Sequence, residues 1–247
     1  MDKIDILFLG HEREEFTRAA HAALVANTNW SRVHRVVIYD DGAAAHLPAL
    51  LKFPVYSIGR SQRLGGPVAI MNDFLGRSGA AVFAKIDNDV IVPPSWLDAA
   101  LDVMASRTEL GLLGLEPPMS RTPAPWAPDR RHRIPEWEDV AANEARGYAP
   151  CDAIGGVGVM RRSVFDGGMQ PRGIYGGFTD WQLRHPEIGK GWICPPLNLF
   201  LLDRLPMEPW ASLSREYIAK GWQRAWTNYG PEAAPLWSWW ATDAVHD

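Results

Sequence analysis

Apolar runs of strand length alternate with stretches of helical period up to about Leu115, and this alternation most constrains what the chain can fold into. Ile4 to Leu9 reads as a strand, followed by a helix from about Glu12 to Ala26 with Phe16, Ala19, Ala20, Ala23 and Leu24 on one face. Val33 to Tyr39 reads as a second buried strand, so the chain opens as a βαβ unit. A short helix, Ala43 to Leu51, leads to a third strand at Phe53 to Ile58, whose Pro54 suits a sheet edge or an entry bend. Pro67 suits the first turn of a helix running to about Gly76, and Ala80 to Ile86 is the next strand. Ser95 is then expected as an N-cap with Asp98 at the third helical position, before a strand at Leu110 to Leu115.

Two of these strands stop at acids. Val33–Tyr39 runs into Asp40-Asp41 and the turn residue Gly42, and Ala80–Ile86 runs into Asp87-Asn88-Asp89. Residues i and i+2 of an extended segment point the same way, so Asp87 and Asp89 offer oxygens on one side. Such a pair suits Mg2+ or Mn2+, ions that reach proteins through one or two carboxylates plus the phosphates of a substrate. A polar turn closing the strand would use the same residue types. Ligands of open α/β sheets sit outside the carboxyl ends of the strands, which favours one shared pocket for both acidic ends. Between them, Gly65-Gly66 precedes a helix N-terminus, where free backbone N–H groups attract anions.

At 247 residues with 47% hydrophobic content the chain can bury a sizeable core. Its formal net charge of -4 and its lack of any Lys/Arg block disfavour a nucleic-acid partner. Cys151 and Cys194 stand far apart without a Cys-x-x-Cys pattern, as two ordinary buried thiols would. The opening residues lack the apolar core of a signal peptide and no run is long enough to span a bilayer, so the expected location is cytoplasmic. Residues 116–150 are rich in Pro and include Trp126, Trp137 and Arg130-Arg131-His132-Arg133; a loop of this length is expected to be a lid that orders on ligand. Ala153 to Arg162 resumes a strand pattern, its glycines Gly155, Gly156 and Gly158 suiting close approach of a backbone or ligand. Gly173 to Arg184 reads as a flexible loop capped into a short helix by Thr179 or Asp180, and a final strand, about Leu197 to Leu202, ends at Asp203. Six of the 12 Trp residues follow residue 209. Two readings stay open for this tail: a helix packing back on the domain, or an aromatic surface for a sugar chain or a membrane interface.

In this order and spacing the pieces resemble the GT-A fold glycosyltransferases, in particular the inverting, family 2-like members that use nucleotide sugars. The resemblance runs from about residue 3 to about 205. It covers the first strand, Asp40-Asp41, Arg63-Leu64-Gly65-Gly66 with Asn72, the Asp87-Asn88-Asp89 version of the DxD motif, Gly155-Gly156-Val157-Gly158, and the acid of Gly177-Phe178-Thr179-Asp180. It implies a GT-A (Rossmann-like), mixed, mainly parallel sheet in a single domain over 1–205, with a nucleotide-binding half at 1–115, an acceptor half at 116–205 and a Trp-rich extension at 206–247. It implies further that Asp40 holds the nucleobase, with Asp41, Arg63, Gly65 and Asn88 also on the nucleotide, and that Asp87 holds the ribose. Asp89 would be the direct ligand of Mn2+ or Mg2+, and Asp203 stands where many members have a metal-binding His. Asp180 would be the catalytic base, where members often carry Glu-Asp and this chain has Thr179-Asp180. Gly155, Gly156, Trp181 and Trp126 would wall the donor and acceptor pocket. The donor would be a UDP-sugar and the acceptor a carbohydrate or a lipid-linked molecule, with peripheral membrane contact through the Trp cluster.

Three rivals share parts of this pattern. Asp-x-Asp also opens haloacid-dehalogenase-type phosphatases, but there it closes the first strand, and here three strands precede it. A nucleotidyltransferase would carry a Gly-rich, Arg/Lys-containing loop after the first strand, where this chain has His11-Glu12-Arg13. A non-catalytic nucleotide- or sugar-binding module would keep the fold and weaken the base site, as Thr179 in place of an acid allows.

Overall fold

The structure, a computed structural model, describes residues 3–10, 14–40, 51–60, 64, 67–115, 140–169, 177–194 and 200–201. The chain divides into two units, Met1–Met119 with Arg133–Phe200 and Ser120–His132 with Leu201–Asp247. Every element named below belongs to the first, except that the last residue of the final strand, Leu201, falls in the second.

Four parallel strands make the amino-terminal half: β1 (Ile4–Gly10), β2 (Val33–Asp40), β3 (Tyr56–Arg60) and β4 (Val82–Asp87). Helices α1 (Glu14–Asn27) and α2 (Pro67–Arg77) lie in the connections, as short, buried, right-handed crossovers require. After the two-residue strand β5 (Val90–Ile91) come α3 (Trp96–Ser106), β6 (Leu110–Gly114), α4 (Val140–Arg146), β7 (Tyr148–Pro150), β8 (Gly158–Arg161), α5 (Gly177–Arg184), β9 (Gly189–Ile193) and β10 (Phe200–Leu201). The main sheet has eight strands in the order β3-β2-β1-β4-β8-β6-β9-β7, with β8 and β7 antiparallel to their neighbours. This is the mixed, mainly parallel α/β sheet expected from the sequence.

β1 is buried along its whole length, as a strand covered by helices on both faces must be. Phe74, Phe83, Phe165 and Trp181 form a run of ring contacts from α2 across β4 to α5, with centroids 5.1, 5.8 and 4.8 Å apart. β8 fits between β4 and β6 because Gly158 lacks a side chain: a Cβ there would lie 2.5 Å from the Leu113 carbonyl oxygen. At the amino-terminal end of β1 the buried Asp5 accepts from Arg35 (2.9 and 3.0 Å) and Ser78 (2.7 Å), tying β1, β2 and the end of α2 together.

Three local expectations change. The last part of the expected 116–150 loop is regular structure: Ala-rich α4 ends at Gly147, whose φ of +80° favours glycine, and β7 pairs with β9. Ser95 precedes α3 in a left-handed conformation and makes no side-chain cap bond, while Asp98 accepts from Asn29 Nδ2 at 3.0 and 3.2 Å. The helix carrying Thr179 and Asp180 begins earlier, at Gly177, so both residues lie inside its first turn. Among the described residues no helix is long and apolar enough to cross a membrane.

Candidate functional site

The strand register brings the acids to one edge. Gly10 is level with Asp40, and Leu9 is level with Asp87, so the carboxyl ends of β2, β1 and β4 finish together. The chain moves outward from β1 to β2 and β3, then returns to β4 on the other side of β1. This reversal is the kind of switch point at which open α/β sheets bind ligands.

Asp40 is buried at 2% exposure, whereas Asp87 keeps a side-chain exposure of 29%. Lys85, two residues back on the same side of β4, is buried at 3%; its Nζ donates to Asp87 Oδ1 and, at 2.8 Å, to the Gly156 carbonyl. Asn88, like Asp87, is a residue of the triplet expected on the nucleotide. It is 6% exposed, turns inward and donates to Thr17 Oγ1 of α1 at 2.7 Å, which fixes the turn and leaves Asp87 and Asp89 as its half-buried acids.

The Gly155-Gly156 segment is held from the other side by α5. Gln182, wholly buried, accepts from the Ile154 N–H at 2.8 Å and donates to the Gly155 carbonyl at 3.2 Å. Gly155 has φ of +73°, so glycine is the residue suited to the bend. Asn72 repeats this device on α2, donating to the Met169 carbonyl at 2.6 Å and accepting from its N–H at 3.1 Å. The Asn72 side chain is thereby occupied in anchoring backbone.

Trp181, expected in the pocket wall, is 4% exposed and stacks on Phe165 at 4.8 Å with planes 19° apart, because Phe178 and Trp181 share a helix face that packs on the sheet. His185 packs on the Trp181 ring at 4.8 Å, and its Nδ1 lies 2.8 Å from Glu187 Oε1. Cys151 and Cys194 are free thiols with no disulfide between them, and burial pushes both up from the usual thiol range. Asp41, Arg63, Gly65, Trp126 and Asp203 lie outside the described residues, as does the carboxyl-terminal Trp cluster. Asp180 is placed on α5 by its backbone.

Beneath the site, Tyr39 donates to Asp73 Oδ2 at 2.7 Å. Burial, then the bond to the Asp73 carboxylate, raise the Tyr39 hydroxyl. Desolvation pushes Asp73 up, but the bonds from Tyr39 and Arg77 and the charges of Arg77 and Arg60 outweigh it and hold the carboxyl below its usual range. This cluster braces β2 against α2 next to Asp40.

Among the described residues no group of three or more His, Cys, Asp or Glu converges as a ready-made metal cage. The donor set present is a pair of carboxylates. It fits a hard divalent ion that completes its shell with substrate phosphates and water.

The sequence reading passed over Lys85 and Gln182. The i, i+2 rule that aligns Asp87 with Asp89 also places Lys85 beside Asp87. Gln182 carries no comparable signal, since its partners are backbone groups of a distant loop.

No protein-family model matches the chain, and no curated protein matches it. Solved structures do. A structure of S. aureus TarS residues 1–349 is similar at a TM-score of 0.57 with 9% identity, covering 95% of this chain and 77% of that one. The same TarS segment in complex with UDP-GlcNAc is similar at 0.54 with 9% identity, covering 95% and 78%. The longer TarS structure is similar at 0.55 with 10% identity, covering 95% of this chain and 47% of that one. The likeness shows the fold alone, a mixed, mainly parallel α/β sheet flanked by helices.

Proposed function

We propose that this chain is a glycosyltransferase that moves a sugar from a nucleoside-diphosphate donor, a UDP-sugar, to an acceptor hydroxyl with inversion at the anomeric carbon. One observation carries the reading: the carboxyl ends of β2 and β4, with Asp40 and Asp87, finish level at a topological switch point, and Asp89 follows in the next turn. The fold shared with a UDP-GlcNAc-bound structure supports the nucleotide-sugar donor.

In this reading Asp40 takes the nucleobase, and Asp87, steadied by Lys85, takes the ribose. Asp89 would hold Mn2+ or Mg2+. The ion, when bound, supplies Lewis-acid stabilisation of the diphosphate that leaves the sugar. Gly155 and Gly156 form the wall between donor and acceptor. Asp180 on α5 takes the proton of the acceptor hydroxyl, a role that contributes about 10² to 10⁴ in rate. The acceptor is a carbohydrate or a lipid-linked molecule.

The test is isothermal titration of UDP with and without Mn2+, on the parent and on Asp89→Ala, together with a transfer assay on Asp180→Asn. Metal-dependent UDP binding lost in the first variant, and near-normal binding with transfer lowered about 10²-fold or more in the second, are the expected results. Undiminished, metal-independent UDP binding by Asp89→Ala refutes the donor site. Near-parental transfer by Asp180→Asn removes that residue as the base, and UDP binding without transfer by the parent across a broad donor and acceptor panel assigns a binding module.

A further inference from the structure

We propose that Lys85 is the positioning residue of the donor site and that its charge tunes the acidic strand end for a metal–diphosphate complex in preference to a bare cation. The proposal rests on the nucleotide-sugar reading above. Its ground is the location of a lysine where strand physics disfavours one: β4 reads Val-Phe-Ala-Lys-Ile-Asp, and its first five residues are all buried. A buried ammonium costs several kcal/mol unless it is paired and hydrogen-bonded. Lys85 is both, through Asp87 and the Gly156 carbonyl.

The two partners lie on different parts of the site. Asp87 ends the nucleotide-side strand, and Gly156 belongs to the segment that Gln182 clamps from α5 through Gly155. Lys85 therefore holds the Asp87 carboxylate in one orientation and holds the neighbouring wall at a set distance from it. It also changes the charge. Asp87 and Asp89 bring two negative charges, and Lys85 brings one positive charge, leaving a single net negative charge at the strand end.

That balance acts in opposite directions on two ligands. A bare divalent cation is attracted by carboxylates and loses affinity to a neighbouring ammonium. A nucleoside diphosphate carrying the same ion is repelled by the carboxylates, so the ammonium helps it, and it also needs Asp87 in its fixed orientation. Removing Lys85 should tighten the first and weaken the second. A lysine that merely packed the strand would, on removal, loosen both together.

The experiment compares the parent with Lys85→Met, which keeps the stem, and with Lys85→Gln, which also keeps a donor for Gly156. Thermal unfolding establishes that each is folded, and Lys85→Gln serves if Lys85→Met is not. Mn2+ alone is titrated by electron paramagnetic resonance, and UDP at saturating Mn2+ by calorimetry. The expected result is Mn2+ affinity about tenfold higher and UDP affinity about tenfold lower in a folded variant, the scale for a charge a few ångströms from a partly solvated site. Both affinities falling together, or neither changing, in a variant whose parent binds UDP with Mn2+ overturns the role of Lys85. A parent that does not bind UDP with Mn2+ overturns the donor reading itself, and this proposal with it.

Discussion

Gln182→Met should cost far more than its neutral chemistry suggests. The side chain is wholly buried, and methionine fills nearly the same volume without strain, so the change leaves little cavity. What it removes is the acceptor of the Ile154 N–H, at 2.8 Å, and the donor to the Gly155 carbonyl, at 3.2 Å. A buried backbone group left without its partner costs about 1 to 3 kcal/mol. Gly155 is only half-buried, so water can reach part of its carbonyl, and the sum falls at about 2 to 4 kcal/mol. In a chain of this length that lowers the melting point by about 4 to 16 °C. Circular dichroism melts of parent and variant measure it, and a difference under about 2 °C would refute the clamp. Gln182→Glu adds a check of sign. Its ionised carboxylate can accept from Ile154 but cannot donate to Gly155, and burial raises its folded pKa, so stability is present at acid pH and lost as pH rises through that value. Its deficit against the parent should shrink near pH 4, and a deficit that grew there would contradict the assigned bonds.

Three further outcomes follow from the geometry. Asp40→Ala should weaken UDP binding while leaving its dependence on Mn2+ intact; titrations showing parental UDP affinity would make Asp40 a structural acid only. Gly158→Ala places a Cβ 2.5 Å from the Leu113 carbonyl, a backbone atom that cannot step aside, and should destabilise by about 1 to 3 kcal/mol in urea unfolding. Because the folded Asp73 carboxyl is held low, its contribution is present above the usual carboxylate range and is lost as pH falls through the folded value. Asp73→Asn should therefore be less stable than the parent by about 1 kcal/mol at pH 7 and closer to it at pH 3, and an equal gap at both pH values in urea melts would count against this.

The parallel half of the sheet was legible because buried strands and amphipathic helices have different periods, and Ile4, Val33 and Ala80 each open such a run. Pro54, read as marking an edge or an entry bend, stands at a bend just before β3, which ends the sheet. The place of β8 between β4 and β6 was not legible, because period tells that a strand exists and says nothing of its neighbours. Asn88 and Trp181 show the same limit at the level of side chains. An Asn inside an acidic triplet looks like one more ligand until Thr17, 71 positions earlier, is found beside it. Trp181 was expected in the pocket wall, and its stack on Phe165 could not be read from spacing, although Phe178 three residues before it already marked an apolar helix face.

β8 also sets an order of assembly. The strands β1 to β4 find all their parallel partners within the first 87 residues, so this layer can form while the rest of the chain is still being made. β6 has no such freedom, since its neighbours are β8 and β9, at least 44 positions further on. Until Gly158–Arg161 arrives, β4 and β6 each present a bare apolar edge, the kind of template that invites pairing with another chain. One four-residue strand thus covers an edge of β4 and an edge of β6 at once, and the second edge of β6 stays bare until β9 follows.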